Sequence, residues 1–293
     1  MTDQPGKVYI VGGGPGDPEL LTLKAKRIIQ EADVVIYADS LVSPEVVNFA
    51  SATAEVHGSK SLTLAQIMEL TLTAVREGKT VARVQSGDPS IYGAILEQMR
   101  ILEREGVQYE IIPGVSSAFA AAAVLKAELT VPGGSQSVIL TRAEGRVAMP
   151  SGEQLRDLAA HGSTLVIFLS VTRMTKVSRD LRAAGYPRET PVAVAYRVGW
   201  PDELIIRGNL TDIAAKVREA KINRQALVLV GEAVHPDLRS PAYASQEEDS
   251  VSHLYSETYT HLFRQSRPRA RSANPAPRAK SPDASLAGDS LGT

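Results

Sequence analysis

The sequence predicts an α/β protein of two α/β domains, the N-terminal one on a mainly parallel sheet and the C-terminal one on a mixed sheet. Three observations carry this. Through the first half, short β-branched runs alternate with segments whose apolar residues recur at helical spacing, a βαβα pattern that implies parallel strands. The stretch "TVPGGSQS", residues 130–137, then clusters Pro and Gly between a helix and the next strand-like run, which marks a boundary near 131–136. Beyond it, two strand-like runs are separated by a short Gly-Trp-Pro-Asp turn and read as a hairpin, so the second sheet must contain an antiparallel pair. The domains are expected over residues 1–132 and 133–239.

The elements follow in order. Strands are expected at residues 8–11, 34–37, 81–84 and 109–112, where Val, Ile and Tyr dominate. Between them, Leu20, Leu21 and Leu23 with Ile28 and Ile29 define a first helix. Leu64, Ile67, Met68, Thr71, Leu72 and Val75 define a second, and Ile91, Ile95, Met99 and Leu102 a third. A further helix opens after "IIPGVSS". In the second half, strands are expected at 137–140, 165–169, 192–196, 204–207 and 226–230, with helices near 171–184 and 210–219. Over 247–265, Val251, Leu254, Tyr255, Thr258, Tyr259, Leu262 and Phe263 share one helical face. Acids stand at its start and Arg264 at its end, as the helix dipole favours, so a docking helix is expected. Residues 266–293 are rich in Ser, Ala and Pro and hold no aromatic residue; they cannot bury enough apolar surface to offset ordering and are expected to be disordered.

Composition narrows the function. With 293 residues and 43% hydrophobic content the chain can build substantial cores. Its 32 basic and 33 acidic residues nearly cancel, and no basic run in the globular part resembles a nucleic-acid arm. The absence of Cys removes disulfides, thiolate metal sites and Cys nucleophiles. The N-terminus has no apolar signal core, and no apolar run approaches the length of a membrane span. The reading is a soluble cytoplasmic protein with no nucleic-acid or membrane partner.

The stretch "VYIVGGGPGDPELLTLKA", residues 8–25, joins a strand, a glycine turn and a helix start, a place where backbone N–H groups can meet an anionic ligand. A dinucleotide fingerprint needs G-x-G-x-x-G. Gly12 and Gly14 fit, but the third place holds Asp17, so a nicotinamide-dependent oxidoreductase stays only an alternative, with Asp39 as its ribose acid. A P-loop ending at Gly78, Lys79 and Thr80 would need glycine at position 73, which is Thr73. Glycines that serve only strand-to-helix packing are a further reading. "GVSSA" at 114–118 misses the hydrolase elbow at Ala118, and helix capping explains its serines. The five histidines show no metal-ligand spacing, so no metal site is expected.

The strand–turn–helix device recurs at "VQSGDPSIYGA", residues 84–94, and at "IIPGVSSAFAAAA". Such turns sit at the carboxyl ends of neighbouring parallel strands, where open α/β sheets bind ligands. With "GGGPGDPELLT", "SGDPSIYG", "PGVSSA" and the closing "ALVLVGEA", the chain from Lys7 to Arg264 resembles the tetrapyrrole (corrin and sirohaem) S-adenosylmethionine-dependent methyltransferases. "YADSLVS", "LTRAEGR" and "YRVGWPDE" are similar to the branch that methylates C11 of precorrin-4 or cobalt-precorrin-4 in cobalamin biosynthesis. Related uroporphyrinogen-III enzymes place an acid directly after the tyrosine of a Y-D-R-L pattern; here that place is Ala38, with Asp39 one step later.

The resemblance implies a homodimer with S-adenosylmethionine folded between the two domains and a tetrapyrrole in an adjoining trough. Gly87, Asp88, Ile91 and Tyr92 would meet the methionine portion of the cofactor, and Ser116 and Ser117 would hydrogen-bond near it. Leu169, Tyr196, Ala226 and Leu227 would surround the rest. Residues 12–17 would form a mobile lip, with Pro15 against the cofactor and Asp17 and Asp39 toward the substrate. Because the substrate carries many carboxylates, cationic side chains are expected to face the trough, Arg142 and Arg146 first and Lys60 and Arg83 as secondary candidates. No catalytic base is identified. A tetrapyrrole carrier, another ring methyltransferase of the same family and a protein-directed methyltransferase of the same fold are the other readings.

Overall fold

The computed structural model describes residues 6–131, 134–237, 259–260, 262 and 264–265. Residues up to Ser250 form one compact unit, and those from Val251 form a second. The first unit holds two five-stranded sheets. Strands β1 (Val8–Gly12), β2 (Val34–Tyr37), β3 (Glu55–Gly58), β4 (Val81–Gln85) and β5 (Tyr109–Ile112) pair in the order β3-β2-β4-β1-β5, all parallel. The second sheet contains β6 (Val138–Arg142), β7 (Thr164–Phe168), β8 (Pro191–Tyr196), β9 (Leu204–Asn209) and β10 (Ala226–Val230). Its order is β6-β7-β10-β8-β9, with only β6 and β7 parallel. The β8–β9 hairpin has Tyr196 opposite Leu204, so the mixed sheet arises as the turn predicts.

Capping residues set the helix starts. Thr22 accepts from the Ala25 N–H ahead of α1 (Leu23–Glu31). Thr63 and Gln66 form a reciprocal capping box for α3 (Leu64–Arg76), which buries Ile67, Met68, Thr71, Ala74 and Val75 as its spacing predicts. The remaining helices are α2 (Pro44–Val47), α4 (Leu96–Arg104), α5 (Ser117–Leu125), α6 (Leu155–Ala159), α7 (Met174–Ala183) and α8 (Ile213–Glu219). Three expectations differ. The helix drawn from Ile91 begins only at Leu96, because Tyr92 and Ala94 adopt left-handed backbone (φ 55° and 49°) that no α-helix admits. Leu20 belongs to a separate 3-10 turn, Pro18–Leu20, capped by Asp17. The edge strand β3 carries no apolar alternation, and α2 and α6 are too short for a period to show.

The strands divide at the predicted linker, but one helix crosses that division. α5, which follows β5, packs its alanines against Val166, Ala193, Ala195, Leu227 and Leu229 of the second sheet. Small side chains allow this close approach, and the shared core joins the two sheets into one body. The helix expected over 247–265 lies mostly outside the described residues; Tyr259, Thr260 and Gln265 carry no helix, Leu262 lies in a turn and Arg264 in an isolated bridge. Residues 266–293 also lie outside them.

In the parallel sheet β2 leads outward to β3 at one edge, whereas β4 leads to β5 at the other. Connections therefore diverge at the carboxyl ends of β2 and β4, which opens a crevice there.

Candidate functional site

The glycines of the three loops hold one another. A Cβ on Gly12 would lie 2.5 Å from the Gly114 backbone, and one on Gly114 would lie 2.2 Å from the Gly87 carbonyl oxygen. Gly14 and Gly87 form an antiparallel bridge, with the Gly87 N–H donating to the Gly14 oxygen at 2.8 Å. Packing of the ends of β1, β4 and β5 thus accounts for Gly12, and the N–H groups of Gly13 and Gly14 donate to the Gln85 and Gly87 oxygens. Gly87 itself has φ +63°, a left-handed conformation that favours glycine.

Asp88 ties the same seam from the side. One carboxylate oxygen accepts from the Ser90 N–H at 2.9 Å and from the Ser90 hydroxyl, and the other accepts from the Gly114 N–H at 2.9 Å. Burial pushes this carboxyl up, but those three donors outweigh it and hold it below the ordinary value. Ser116 is buried and caps α5 by accepting from the Ala118 N–H. Asp39, after β2, accepts from the Lys60 N–H at 2.7 Å and pairs with the Lys60 ammonium at 3.1 Å. Burial raises the Asp39 carboxyl as well, and the Lys60 contacts reverse this to a net lowering.

The second sheet closes the crevice with strained backbone. Of seven described non-glycine residues with positive φ, four (Tyr92, Leu169, Arg197 and Gln225) line one cavity. Such conformations cost on the order of 1–3 kcal/mol each and persist where the surroundings impose them, often at functional sites. Leu169 is 67% exposed there, an apolar side chain held toward open space. Arg197 and Gln225 extend the β8–β10 ladder through the Arg197 N–H to the Gln225 oxygen, and the Gln225 side-chain amide donates to the Ser40 oxygen at 2.8 Å across the crevice.

A second tie comes from the hairpin turn. The Trp200 indole N–H donates to the Pro15 oxygen at 3.2 Å, and a Cβ on Gly16 would lie 2.3 Å from the indole. The Arg197 guanidinium stacks on the same ring at 4.0 Å and bonds Asp202 at 2.6 Å. The loop expected to be a mobile lip is therefore pinned by Trp200. Tyr92 and Phe168 meet across the crevice with ring centroids 5.3 Å apart.

These walls enclose a cavity of about 840 Å3, within the range of about 300–1,000 Å3 usual for small-molecule sites. Of the expected cofactor residues, Pro15, Gly87, Asp88, Ile91, Tyr92, Ser116, Ser117, Leu169, Ala226 and Leu227 line it, whereas Tyr196 lines a second depression next to it. Asp39 and Lys60 also line the cavity; Asp17, Arg142, Arg146 and Arg83 do not. Asp17 caps its 3-10 turn through the Glu19 N–H. Arg142 donates to the Val147 and Ala148 oxygens of its own loop, and Arg146 is exposed on that loop. Arg83 lies inside the parallel sheet, bonded to Gln98 and the Ile36 oxygen, with burial pulling its guanidinium down to about 10 and leaving it charged at neutral pH. The sequence reading missed Trp200, Arg197, Arg224 and Gln225. The lone tryptophan between Gly199 and Pro201 was a signal for the first, while nothing local marks Gln225 as a cross-sheet donor.

The lining fits S-adenosylmethionine. Ile91, Leu169, Val198 and Leu227 offer apolar wall for flat and aliphatic parts, while Ser117, Thr172 and Gln85 supply polar contacts for a zwitterionic end. Among the described residues no group of His, Asp and Glu is placed to hold a metal ion.

Comparison with known proteins agrees with the geometry. The family model described as Tetrapyrrole (Corrin/Porphyrin) Methylases matches residues 7–214. A cobalt-precorrin-4 C(11)-methyltransferase of Methanocaldococcus jannaschii is 50% identical over 264 residues, 90% of this chain and 98% of that protein. A precorrin-4 C(11)-methyltransferase of Pseudomonas aeruginosa is 45% identical over 257 residues, 88% of this chain and 98% of the relative. Among solved structures, a cobalt precorrin-4 methyltransferase, CbiF, superposes with a TM-score of 0.77 at 49% identity, covering 78% of this chain and 96% of its own. A uroporphyrin-III C-methyltransferase of Thermus thermophilus, complexed with S-adenosylhomocysteine, gives 0.65 at 33% identity, covering 78% and 99%.

Proposed function

The chain belongs to the tetrapyrrole (corrin/porphyrin) methylases, and from that premise we propose that it transfers a methyl group from S-adenosylmethionine to C11 of precorrin-4 or cobalt-precorrin-4 in cobalamin biosynthesis. The observation that carries this reading is a likeness to C11-methyltransferases that spans nearly their whole length and includes the loops forming the cavity.

S-adenosylmethionine supplies a methyl group already activated by the adjacent sulfonium charge, and the reduced ring supplies a nucleophilic, enamine-like carbon. Strong acid–base assistance is therefore unnecessary, which suits a cavity whose two carboxylates, Asp39 and Asp88, are both held by neighbouring donors. The chain's work is to bind, orient and exclude water, effects that supply several kcal/mol of barrier lowering. Gly87, Ile91, Ser117, Leu169, Ala226 and Leu227 would hold the cofactor, with Pro15 closing over it. Asp39, kept ionised by Lys60, would accept a hydrogen bond from a ring N–H. Ring carbon and donor meet in line only while both sheets keep their shared wall, so the Trp200 and Gln225 ties serve the chemistry through geometry.

No described helix is long and apolar enough to cross a membrane. The reading includes a cytoplasmic homodimer, whose pairing is supported by the exposed apolar side chains Ile111, Phe119 and Val124. Light scattering of purified protein checks the stoichiometry.

The deciding experiment incubates the protein with methyl-labelled S-adenosylmethionine and either precorrin-4 or its cobalt complex, then locates the label by carbon NMR. A new methyl at C11 of either ring is expected. Label at another carbon, or transfer to neither ring, overturns the reading.

A further inference from the structure

The cofactor cavity does not end at its own rim. Asn223 and Arg224 line both it and the second depression, of about 450 Å3. The floor of that depression includes Tyr196, Leu204 and Ile222, and its charged groups are Asp202, Lys221 and Arg224. Asp202 is already committed to Arg197 at 2.6 Å. The side chains of Lys221 and Arg224 are exposed and make no hydrogen bond or ion pair among the described residues. Lys221 is held at φ +55° just past the end of α8.

We propose that this depression is a carboxylate-arm subsite, in which Lys221 and Arg224 bind one acetate or propionate side chain of the tetrapyrrole. The proposal rests on the functional reading above and deepens it. A short alkyl carboxylate matches both halves of the site: its methylenes lie on the Tyr196, Leu204 and Ile222 surface, and its carboxylate meets two cations with no acid left to neutralise them. The position suits a large flat ring, because Arg224 stands at the junction of the two depressions and an arm reaching past the cofactor enters the second one. The cations expected for this task on the sequence, Arg142 and Arg146, are respectively spent on a loop and placed outside both depressions.

The test titrates the intact protein and its Lys221→Gln, Arg224→Gln and doubly substituted variants with two probes. One is S-adenosylhomocysteine; the other is a porphyrin carrying acetate and propionate arms, followed through the fluorescence of the single tryptophan, Trp200. Porphyrin affinity should fall several-fold with each substitution and about tenfold with both, and the double variant should lose part of the salt dependence. S-adenosylhomocysteine affinity of Lys221→Gln should equal that of the unmodified protein. In turnover with the precorrin, KM should rise while kcat stays nearly constant. Unchanged porphyrin affinity and salt slope in the double variant overturn the subsite, as does equal loss of both probes, which would mark a structural role. Porphyrin binding that depends on Lys221 and Arg224 without methyl transfer to any precorrin would uphold the subsite and overturn the functional reading instead.

Discussion

Replacing Trp200 by Ala should loosen the cavity before it unfolds the protein. The indole donates to the Pro15 oxygen, supports the Arg197 guanidinium and fills the space beside Gly16. The hydrogen bond contributes about 1 kcal/mol net, and the cation–π stack about 0.5–1 kcal/mol. The half-buried ring adds roughly 1–2 kcal/mol of apolar burial. Together these come to about 3 kcal/mol, and at about 2–4 °C per kcal/mol for a unit of this size Tm should fall by roughly 6–12 °C. Affinity for S-adenosylhomocysteine should weaken about tenfold, because the Pro15 wall is no longer pre-positioned and binding must order it. Calorimetric titration and thermal unfolding read both effects. Trp200→Phe should keep most of the stability and lose the hydrogen bond alone. Gly16→Ala supplies a reciprocal check: its Cβ runs into the indole in the unmodified protein, so it should cost less in the Trp200→Ala background, although the Val198 oxygen at 2.8 Å leaves some cost in place. Strict additivity of the two substitutions, or a Trp200→Ala protein with unchanged Tm and affinity, refutes the idea of a clasp.

Gly114→Ala should destabilise far more than Gly87→Ala in denaturant titration. The first drives a Cβ to 2.2 Å from a carbonyl oxygen, while the second meets only ordinary contacts at 3.7 Å and the left-handed backbone cost of about 1–2 kcal/mol. Asp88→Asn should cost about 1–3 kcal/mol at pH 7, since an amide cannot accept from both Ser90 and Gly114 as the carboxylate does. Because the folded Asp88 carboxyl sits below its ordinary value, its contribution is present above about pH 4 and lost as pH falls through the folded value; the variant's stability should therefore fall less steeply on acidification. Burial pushes the Tyr186 phenol up to about 12, where its hydroxyl donates to the Ser163 oxygen. Its contribution is full below about pH 10 and lost as pH rises through 12, so Tyr186→Phe should be less stable at pH 8 and should narrow its deficit in alkali, as alkaline unfolding curves would reveal.

Local pattern was enough for much of this protein. Alternating β-branched runs and helical spacing specified nine of the ten strands, because backbone pairing and burial of one face leave a period in the chain itself. The hairpin turn specified the mixed sheet, and the loop motifs specified the family and much of the cavity wall, since strand–turn–helix junctions at parallel strand ends converge wherever such a sheet forms. What only the tertiary structure decided concerns partners far apart in sequence. Gly12 and Gly114 are glycines because their backbones meet each other and the Gly87 oxygen, a fact invisible in any one of the loops. Arg83 and Arg142 look like free cations along the chain, yet their donors are spent on Gln98 and on nearby carbonyls. Arg197 and Trp200 reach the site because the second sheet folds its hairpin turn over the lip of the first, and Gln225 because its amide spans 185 positions in sequence to Ser40. Periodicity records which face of an element is buried. It carries no record of which other element does the burying, and in this protein that second choice builds the closing wall of the cavity.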